Sequence, residues 1–301
     1  MSQAQKSAAI RFFSRGWHFL QKPWGEKARA LRYRWSAALA GLPKVVRLPF
    51  GVWWIRRNDN LSEPLLEGKF ENAEMAFAER FLQPGMTVLD VGAHHGLYTL
   101  LASRCVGPRG SVFAFEPSSR ERRALRIHLV LNRCRNVAVQ GCALGNESKV
   151  ANLFLVTGSQ TGCNSLRPPV VESSTAPVRV RVMRLDDWLA GHQVERVDFV
   201  KLDVEGGELA ALEGAGRLLE ARPRPVILAE VQDIRTEPWG YRAKDILNYL
   251  AAKQYKWFRL SQTGGISLLD VSARDFNGNF VACPTENVEG LLHQFSSATE
   301  T

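Results

Sequence analysis

Apolar positions along the chain follow two rhythms. Near the N-terminus they recur at steps of three and four: Ile10, Phe13, Trp17 and Leu20 share one face over 8–20, and Leu31, Trp35, Leu39 and Leu42 share another over 26–42. That period predicts two helices, the first ended by Pro23. Residues 44–57 read as two short strands around Pro49 and Gly51, and 71–82 as a helix with Ala73, Phe77, Phe81 and Leu82 inward. Beyond that, short apolar runs and alternations predict strands at 86–91, 111–116, 137–140, 149–156, 178–183, 197–202, 225–231, 255–260 and 277–283. Helical segments fall among them, from Leu97, over 118–132, from Arg184, after Gly206-Gly207 and over 242–253. Asp186 or Asp187 is expected to cap the helix that starts at Arg184. Residues 266–271 are ambiguous, and Thr285 onward reads as a frayed tail. The chain thus divides into a helical extension (1–43), one domain (44–285) and a tail (286–301).

One stretch organises the domain. The run Met86–Val91 carries an acid at its end, Asp90, and Gly92 and Gly96 follow before a helix start. Small residues let a backbone come close to a ligand, and a helix N-terminus offers free N–H groups. The spacing Asp-x-Gly-x-x-x-Gly, with His94-His95 inside, is not the G-x-G-x-x-G pattern that receives a pyrophosphate. It points to a nucleoside ligand without phosphates, S-adenosylmethionine above all. The second predicted strand ends in Glu116, about 20 residues on, where a carboxylate accepts from both ribose hydroxyls. Small residues over 141–145 suit the wall of an adenine pocket. Lys201, Asp203, Glu205 and Glu208 crowd the end of the strand at 197–202, at the carboxyl edge where open parallel sheets bind ligands. Four charges there are costly unless used or paired. The polar stretch Thr157–Ala176 is long for a loop in a compact domain and reads as part of an acceptor site.

Composition adds a charge asymmetry. The 301 residues carry a net charge of +9, but residues 1–57 hold twelve Lys or Arg against one acid, Glu26, and the remainder is slightly acidic. The basicity belongs to the extension, which argues against a domain-wide nucleic-acid surface. Basic amphipathic helices with aromatic residues suit the surface of an anionic membrane, so a peripheral membrane contact through 1–43 is one reading of the extension, and packing on the domain or a protein interface is the other. No apolar run reaches the ~20 residues of a membrane span, and Arg11 and Arg15 interrupt the only candidate signal segment. Five scattered cysteines without a C-x-x-C pair fit a reducing, cytoplasmic setting.

Four segments now align: Val88–Gly96, Phe115-Glu116-Pro117, Leu185–Trp188, and Val200-Lys201-Leu202-Asp203-Val204-Glu205-Gly206. In this order and spacing the chain resembles the FkbM-type S-adenosylmethionine-dependent methyltransferases over about residues 45–285. The resemblance implies an α/β fold: a Rossmann-like, seven-stranded, mostly parallel sheet with helices on both faces. It also implies a C-terminal antiparallel hairpin, supplied here by 254–260 and 277–283. It implies S-adenosylmethionine as methyl donor and usually a hydroxyl acceptor on a sugar, polysaccharide, glycolipid or other secondary metabolite. Asp90, Gly92 and Gly96, with Ala93, His94 and Tyr98, would shape the methionine and ribose side of the pocket. Glu116 would hold the ribose, Ala143 and Leu144 would border the adenine, and Asp203 would lie by the transferred methyl with Glu205 beside it. His94 stands where the family's turn often carries Asn.

An alcohol acceptor needs its proton taken. The candidate bases are Asp203 first, then Glu205, His94 and His95. Glu205 is also read as a partner of Lys201, and His95 as a helix cap or core residue. Asp203, Glu205 and Glu208 could group around a divalent cation, but no metal is assigned. Two other classes compete: an RNA-modifying methyltransferase gripping phosphates through the extension, and a non-catalytic, membrane-docked nucleoside-binding module. The acceptor itself and the oligomeric state are not written in the sequence.

Overall fold

The described structure, residues 44–56 and 61–296 of a computed structural model, begins with a two-stranded sheet of β1 (Lys44–Arg47) and β2 (Trp53–Arg56). The helical extension expected over 1–43 lies outside the described residues. Two helices follow, α1 (Ser62–Leu66) and α2 (Asn72–Phe81). Then strands and helices alternate: β3 (Thr87–Val91), α3 (Leu97–Val106), β4 (Ser111–Phe115), α4 (Ser119–Leu131) and β5 (Val137–Gln140). The chain leaves this sheet for a three-stranded one, β6 (Cys142–Leu144), β7 (Lys149–Val156) and β8 (Thr175–Met183), in the order β6-β8-β7. It returns through α5 (Leu185–Gly191) to β9 (Phe199–Leu202), α6 (Glu208–Glu213), α7 (Gly216–Glu220) and β10 (Val226–Gln232). The remainder is α8 (Asp233–Thr236), α9 (Ala243–Ala252), β11 (Tyr255–Leu260), β12 (Ile266–Leu268), β13 (Asn277–Pro284) and α10 (Val288–Ser296).

The central sheet runs β12-β11-β13-β10-β9-β3-β4-β5. Strands from β10 to β5 are parallel, β13 is antiparallel to β10 and β11, and β12 is antiparallel to β11. The sheet has eight strands, not seven. The extra edge strand is β12, from the ambiguous segment, and the expected pairing of 254–260 with 277–283 is present as β11 on β13. Alternate residues of one strand serve opposite cores, because side chains point to opposite faces of a sheet. Leu89 and Val91 join a core with Trp188, Leu202 and Leu247, whereas Val88 packs with Phe77, Leu101 and Phe199. After β3 the chain winds outward to β4 and β5, then crosses back to β9 on the other flank of β3. The carboxyl ends of β3 and β9 therefore flank a topological switch point, where such sheets open a crevice.

Two expectations fail here. The tail from Thr285 is not frayed: Val288–Ser296 is a helix, with Leu291 and Phe295 buried and Phe295 stacked on Phe77 at 4.9 Å. Neither Asp186 nor Asp187 caps its own helix, whose N-cap is Arg184 with no side-chain bond. Asp186 instead accepts from the backbone N–H groups of Arg217 (2.8 Å) and Leu218 (3.1 Å), the first turn of α7. The residue type suits a cap, but its donors lie about 30 positions away. Asp186→Ala is expected to cost about 1–2 kcal/mol, read as a lower urea midpoint with an unchanged slope.

Candidate active site

Small backbone at the end of β3 makes the site. Gly92 takes φ of 89°, and its N–H and that of Ala93 both donate to the Phe115 carbonyl at 3.0 Å. A Cβ on Gly92 would lie 1.7 Å from the Asp203 carbonyl oxygen, so the ends of β3 and β9 close up only over glycine. Gly92→Ala is expected to cost about 2–3 kcal/mol or to prevent folding, measured by thermal unfolding and soluble yield. Gly96 plays a different part from the one expected. A Cβ there would meet Leu125 Cδ1 at 2.3 Å, so Gly96 lets α3 pack on α4 and does not border the cavity.

The crevice has two neighbouring lobes that share part of their lining. Phe115, Glu116, Ala143, Leu144 and Trp239 border a narrow lobe of about 50 Å³. Glu71, Asp90, Tyr98, Lys201, Glu230 and Arg235 border a larger one of about 320 Å³, with Ala93 on its wall. Gly92, His94, Gly162, Asp203 and Glu205 border both. Three non-glycine residues at the crevice have left-handed backbone: Glu71 (φ 46°), His94 (48°) and Glu205 (57°). Each such residue costs roughly 1–3 kcal/mol and persists where surrounding structure enforces it.

In the narrow lobe, Glu116 accepts from the backbone N–H groups of Ser118 (2.7 Å) and His94 (2.9 Å), one on each oxygen. Its carboxylate plane is thereby fixed. Burial nevertheless pushes its pKa up to about 7, because the two N–H groups only partly replace water. The turn also fixes two histidines. His94 meets Thr161 Oγ1 at 3.2 Å through Nε2 and stacks on His95 with centroids 3.8 Å apart. His95 Nε2 meets Glu121 at 2.8 Å, inside the protein. Burial works against the Glu121 charge, but His95, His94 and Arg120 outweigh it and hold the carboxyl down at about 2.

The charges at the end of β9 pair differently from the expectation. Buried Lys201 bonds to Asp203 (3.0 Å) and Asn279 (3.2 Å), not to Glu205. Burial disfavours its charge, but Asp203, Glu71 and Glu230 outweigh that and keep it protonated. Glu205 lies 2.8 Å from Arg235 as an ion pair, and burial, then Asp203, still raises its pKa to about 8. Glu208 Oε1 accepts from the Val204 (2.8 Å) and Gly206 (3.3 Å) N–H groups and closes the turn between β9 and α6. Among the described residues, the carboxyl groups that converge within 4.8 Å are Asp203, Glu208 and Glu230, not Asp203, Glu205 and Glu208.

Asp90 and Tyr98 border the larger lobe, each already bonded within the protein: Asp90 accepts from Thr99 Oγ1, and Tyr98 donates to Glu71 at 2.6 Å. Residues 159–166 line the two lobes, tied down by Thr161 on His94 and by Ser165 Oγ donating to the Glu205 carbonyl at 2.7 Å. Sequence reasoning missed Glu71, Arg235 and Trp239 and gave Glu230 no role. Glu230 had a signal, an acid in a buried parallel strand; the others sit in segments without a motif.

The crevice fits an adenosyl ligand on its own terms. Ala143 and Leu144 wall it, the fixed Glu116 carboxylate keeps acceptor capacity for hydroxyls, and the buried Trp239 Nε1–H has no acceptor among the described residues.

Residues 90–257 match the family described as Methyltransferase FkbM domain. The chain is 28% identical over 202 residues to the AMB antimetabolite synthetase AmbE of Pseudomonas aeruginosa, covering 56% of this chain but 9% of that protein. It is 27% identical over 179 residues to 31-O-demethyl-FK506 methyltransferase FkbM of Streptomyces tacrolimicus, covering 51% of this chain and 68% of the other. Among solved structures, cofactor-bound Rv0187 from MTB is similar at 16% identity and a TM-score of 0.42, over 88% of this chain and 99% of that one.

Proposed function

Because the chain belongs to the methyltransferase FkbM domain family, whose methyl donor is S-adenosylmethionine, we propose that it methylates a hydroxyl of a sugar, glycolipid, polysaccharide or other secondary metabolite. The observation that carries this reading is the position of Asp203: it borders both the narrow lobe and the larger one, where donor and acceptor would meet. The name of the Streptomyces relative, a 31-O-demethyl-FK506 methyltransferase, supports oxygen as the acceptor atom.

When bound, the cofactor supplies an electrophilic methyl and its own sulfur leaving group. The chain supplies the rest. Glu116 accepts from the ribose hydroxyls, Ala143 and Leu144 wall the base, and Gly92 admits the backbone approach that brings Asp203 to the junction. Asp203 takes the proton of the acceptor hydroxyl. Lys201, fixed by Asn279, orients that carboxylate from below. Residues 159–166, held by Thr161 and Ser165, line the junction and limit its contact with water.

The reading is tested with purified protein, methyl-labelled S-adenosylmethionine and a total extract of the source cells, partitioned into organic and aqueous phases. Label in the organic phase supports a lipid-linked acceptor and a membrane contact through residues 1–43. Aqueous label that resists ribonuclease supports a soluble glycan or small molecule. Ribonuclease-sensitive label, or cofactor binding without any labelled product, would sink the proposal.

A further inference from the structure

Away from the crevice, the end of α4 and the β1–β2 hairpin form a surface with charge of one sign. From Pro117 to Gln140 the chain has six arginines and one acid, Glu121, which is buried. Arg120 turns in to Glu121, and Arg122 to the Glu116 and Pro117 carbonyls. Arg123, Arg126, Arg133 and Arg135 stay exposed, with no carboxylate partner among the described residues. Steps of three and four put Arg123, Arg126, Ile127 and Val130 on one face of α4, and Val130 is 78% exposed. The hairpin is fixed against the end of that helix. The Trp53 N–H donates to Asn132 Oδ1, and Asn132 Nδ2 donates back to the Trp53 carbonyl, both at 2.7 Å. Trp54 points inward and stacks on buried His128 at 4.0 Å. Its neighbour Trp53 therefore points outward, 45% exposed, with Arg47 over its ring at 6.0 Å and Val45 exposed on the paired strand. Gly51, Val52, Arg104, Arg133, Arg135 and Asn136 border an open recess of about 600 Å³ beside it, and no acidic side chain does.

A solvated surface ordinarily intersperses charges of both signs. Here aliphatic and indole groups stand among arginines alone. A nucleic acid would engage the arginines and leave Val45, Ile127 and Val130 in water. An anionic bilayer engages both: guanidinium groups meet lipid phosphates, and apolar side chains enter the boundary between headgroups and acyl chains. Trp suits that depth, being apolar in its ring and polar at its N–H. We infer that the end of α4 and the β1–β2 hairpin are a docking surface for an anionic phospholipid bilayer. The recess gives headgroup phosphates access to Arg104, Arg133 and Arg135. This surface belongs to the domain, apart from any contact made by residues 1–43, and it requires nothing of the methyl-transfer reading. Lys44 begins β1 and is also where the basic extension joins the domain, so chain of like charge runs directly into the surface. The crevice stays clear of it. Helix α4 starts beside Glu116, which accepts from the Ser118 N–H, and its 13 residues put the docking end about 20 Å away.

Flotation of the full chain with lipid vesicles tests this. Binding is expected to vesicles of equimolar phosphatidylglycerol and phosphatidylcholine, and not to pure phosphatidylcholine. One arginine at an anionic surface is worth about fivefold in affinity. Arg133→Gln combined with Arg135→Gln is therefore expected to weaken vesicle binding about 30-fold, and the matching pair of Lys substitutions by less than about threefold. Val130→Glu, at an exposed position, is expected to weaken it at least about tenfold. The thermal midpoint and the affinity for S-adenosylhomocysteine are expected to stay as in wild type in all three. Vesicles are also expected to slow amide exchange in the hairpin and over 132–136 of the wild-type chain. Wild-type vesicle binding by both the Gln pair and Val130→Glu overturns the inference, since the extension would then carry the membrane contact alone. Absence of wild-type binding overturns it, as does equal binding to uncharged vesicles. So does a single-stranded RNA probe whose binding the Gln pair abolishes while vesicle binding persists, a result that would assign the arginines to nucleic acid.

Discussion

Asp203→Asn is expected to lower kcat by about 10²–10⁴-fold, the usual contribution of a positioned general base, while cofactor affinity changes little. The substitution keeps the shape of the side chain and removes its ability to take a proton. It also leaves the local backbone in place, because the Asp203 N–H donates to the Val91 carbonyl (3.0 Å) and its own carbonyl packs on Gly92 whatever the side chain. Lys201 loses one partner but keeps Asn279 and the fields of Glu71 and Glu230. The competing bases are weaker on physical grounds. Glu205 is largely buried and held 2.8 Å from Arg235, which occupies its carboxylate. His94 Nε2 is held by Thr161. Single-turnover kinetics with labelled cofactor, alongside calorimetric titration of S-adenosylhomocysteine, check this. Full turnover in the variant would return the role to Glu205 or His94.

The core of this site was legible because its chemistry is local in sequence. Asp90, Gly92 and His94 lie within five residues, and Lys201, Asp203 and Glu205 within five more, each set at the end of a short apolar run. A parallel strand buried on both faces must be apolar, so its polar residues stand out at its carboxyl end. The expected sheet was legible for the same reason, up to its edge. Strand β12 has three residues, two of them exposed, and carries no alternation to read. Helix α10 did leave a trace, Leu291 and Phe295 four residues apart, but its hydrophobic face has meaning only beside Phe77. Partnerships were less legible than positions. Lys201 is two residues from Asp203 and four from Glu205. In a strand the residue two along shares its face, which favours Asp203, while the left-handed backbone at Glu205 turns that side chain toward Arg235. Glu71, Arg235 and Trp239 reach the crevice from the residue before α2, from α8 and from the turn after it, contacts that only the folded chain creates.

Glu116→Ala is expected to weaken cofactor binding at least about 100-fold, two hydrogen bonds to a charged acceptor lost at once, and to flatten its dependence on pH. The sign follows from which form the ligand prefers. Ribose hydroxyls donate, so they favour the carboxylate, whereas burial raises the empty-site pKa from 4.5 to about 7. Binding below about pH 7 must therefore expel a proton. Wild-type affinity should fall as pH drops through 7, approaching tenfold per pH unit, and should level off above it. Asp90, near 6, and Glu208, near 7, titrate in the same range, so the discriminating quantity is the difference between wild type and variant. Calorimetric titration of S-adenosylhomocysteine from about pH 6 to pH 8, in buffers of different ionisation enthalpy, measures both the slope and the proton released. An equal slope in the two proteins would move the titrating group elsewhere in the crevice. Unchanged affinity in Glu116→Ala would mean that the narrow lobe holds no ribose, which would undercut the assignment of Ala143 and Leu144 to the base as well.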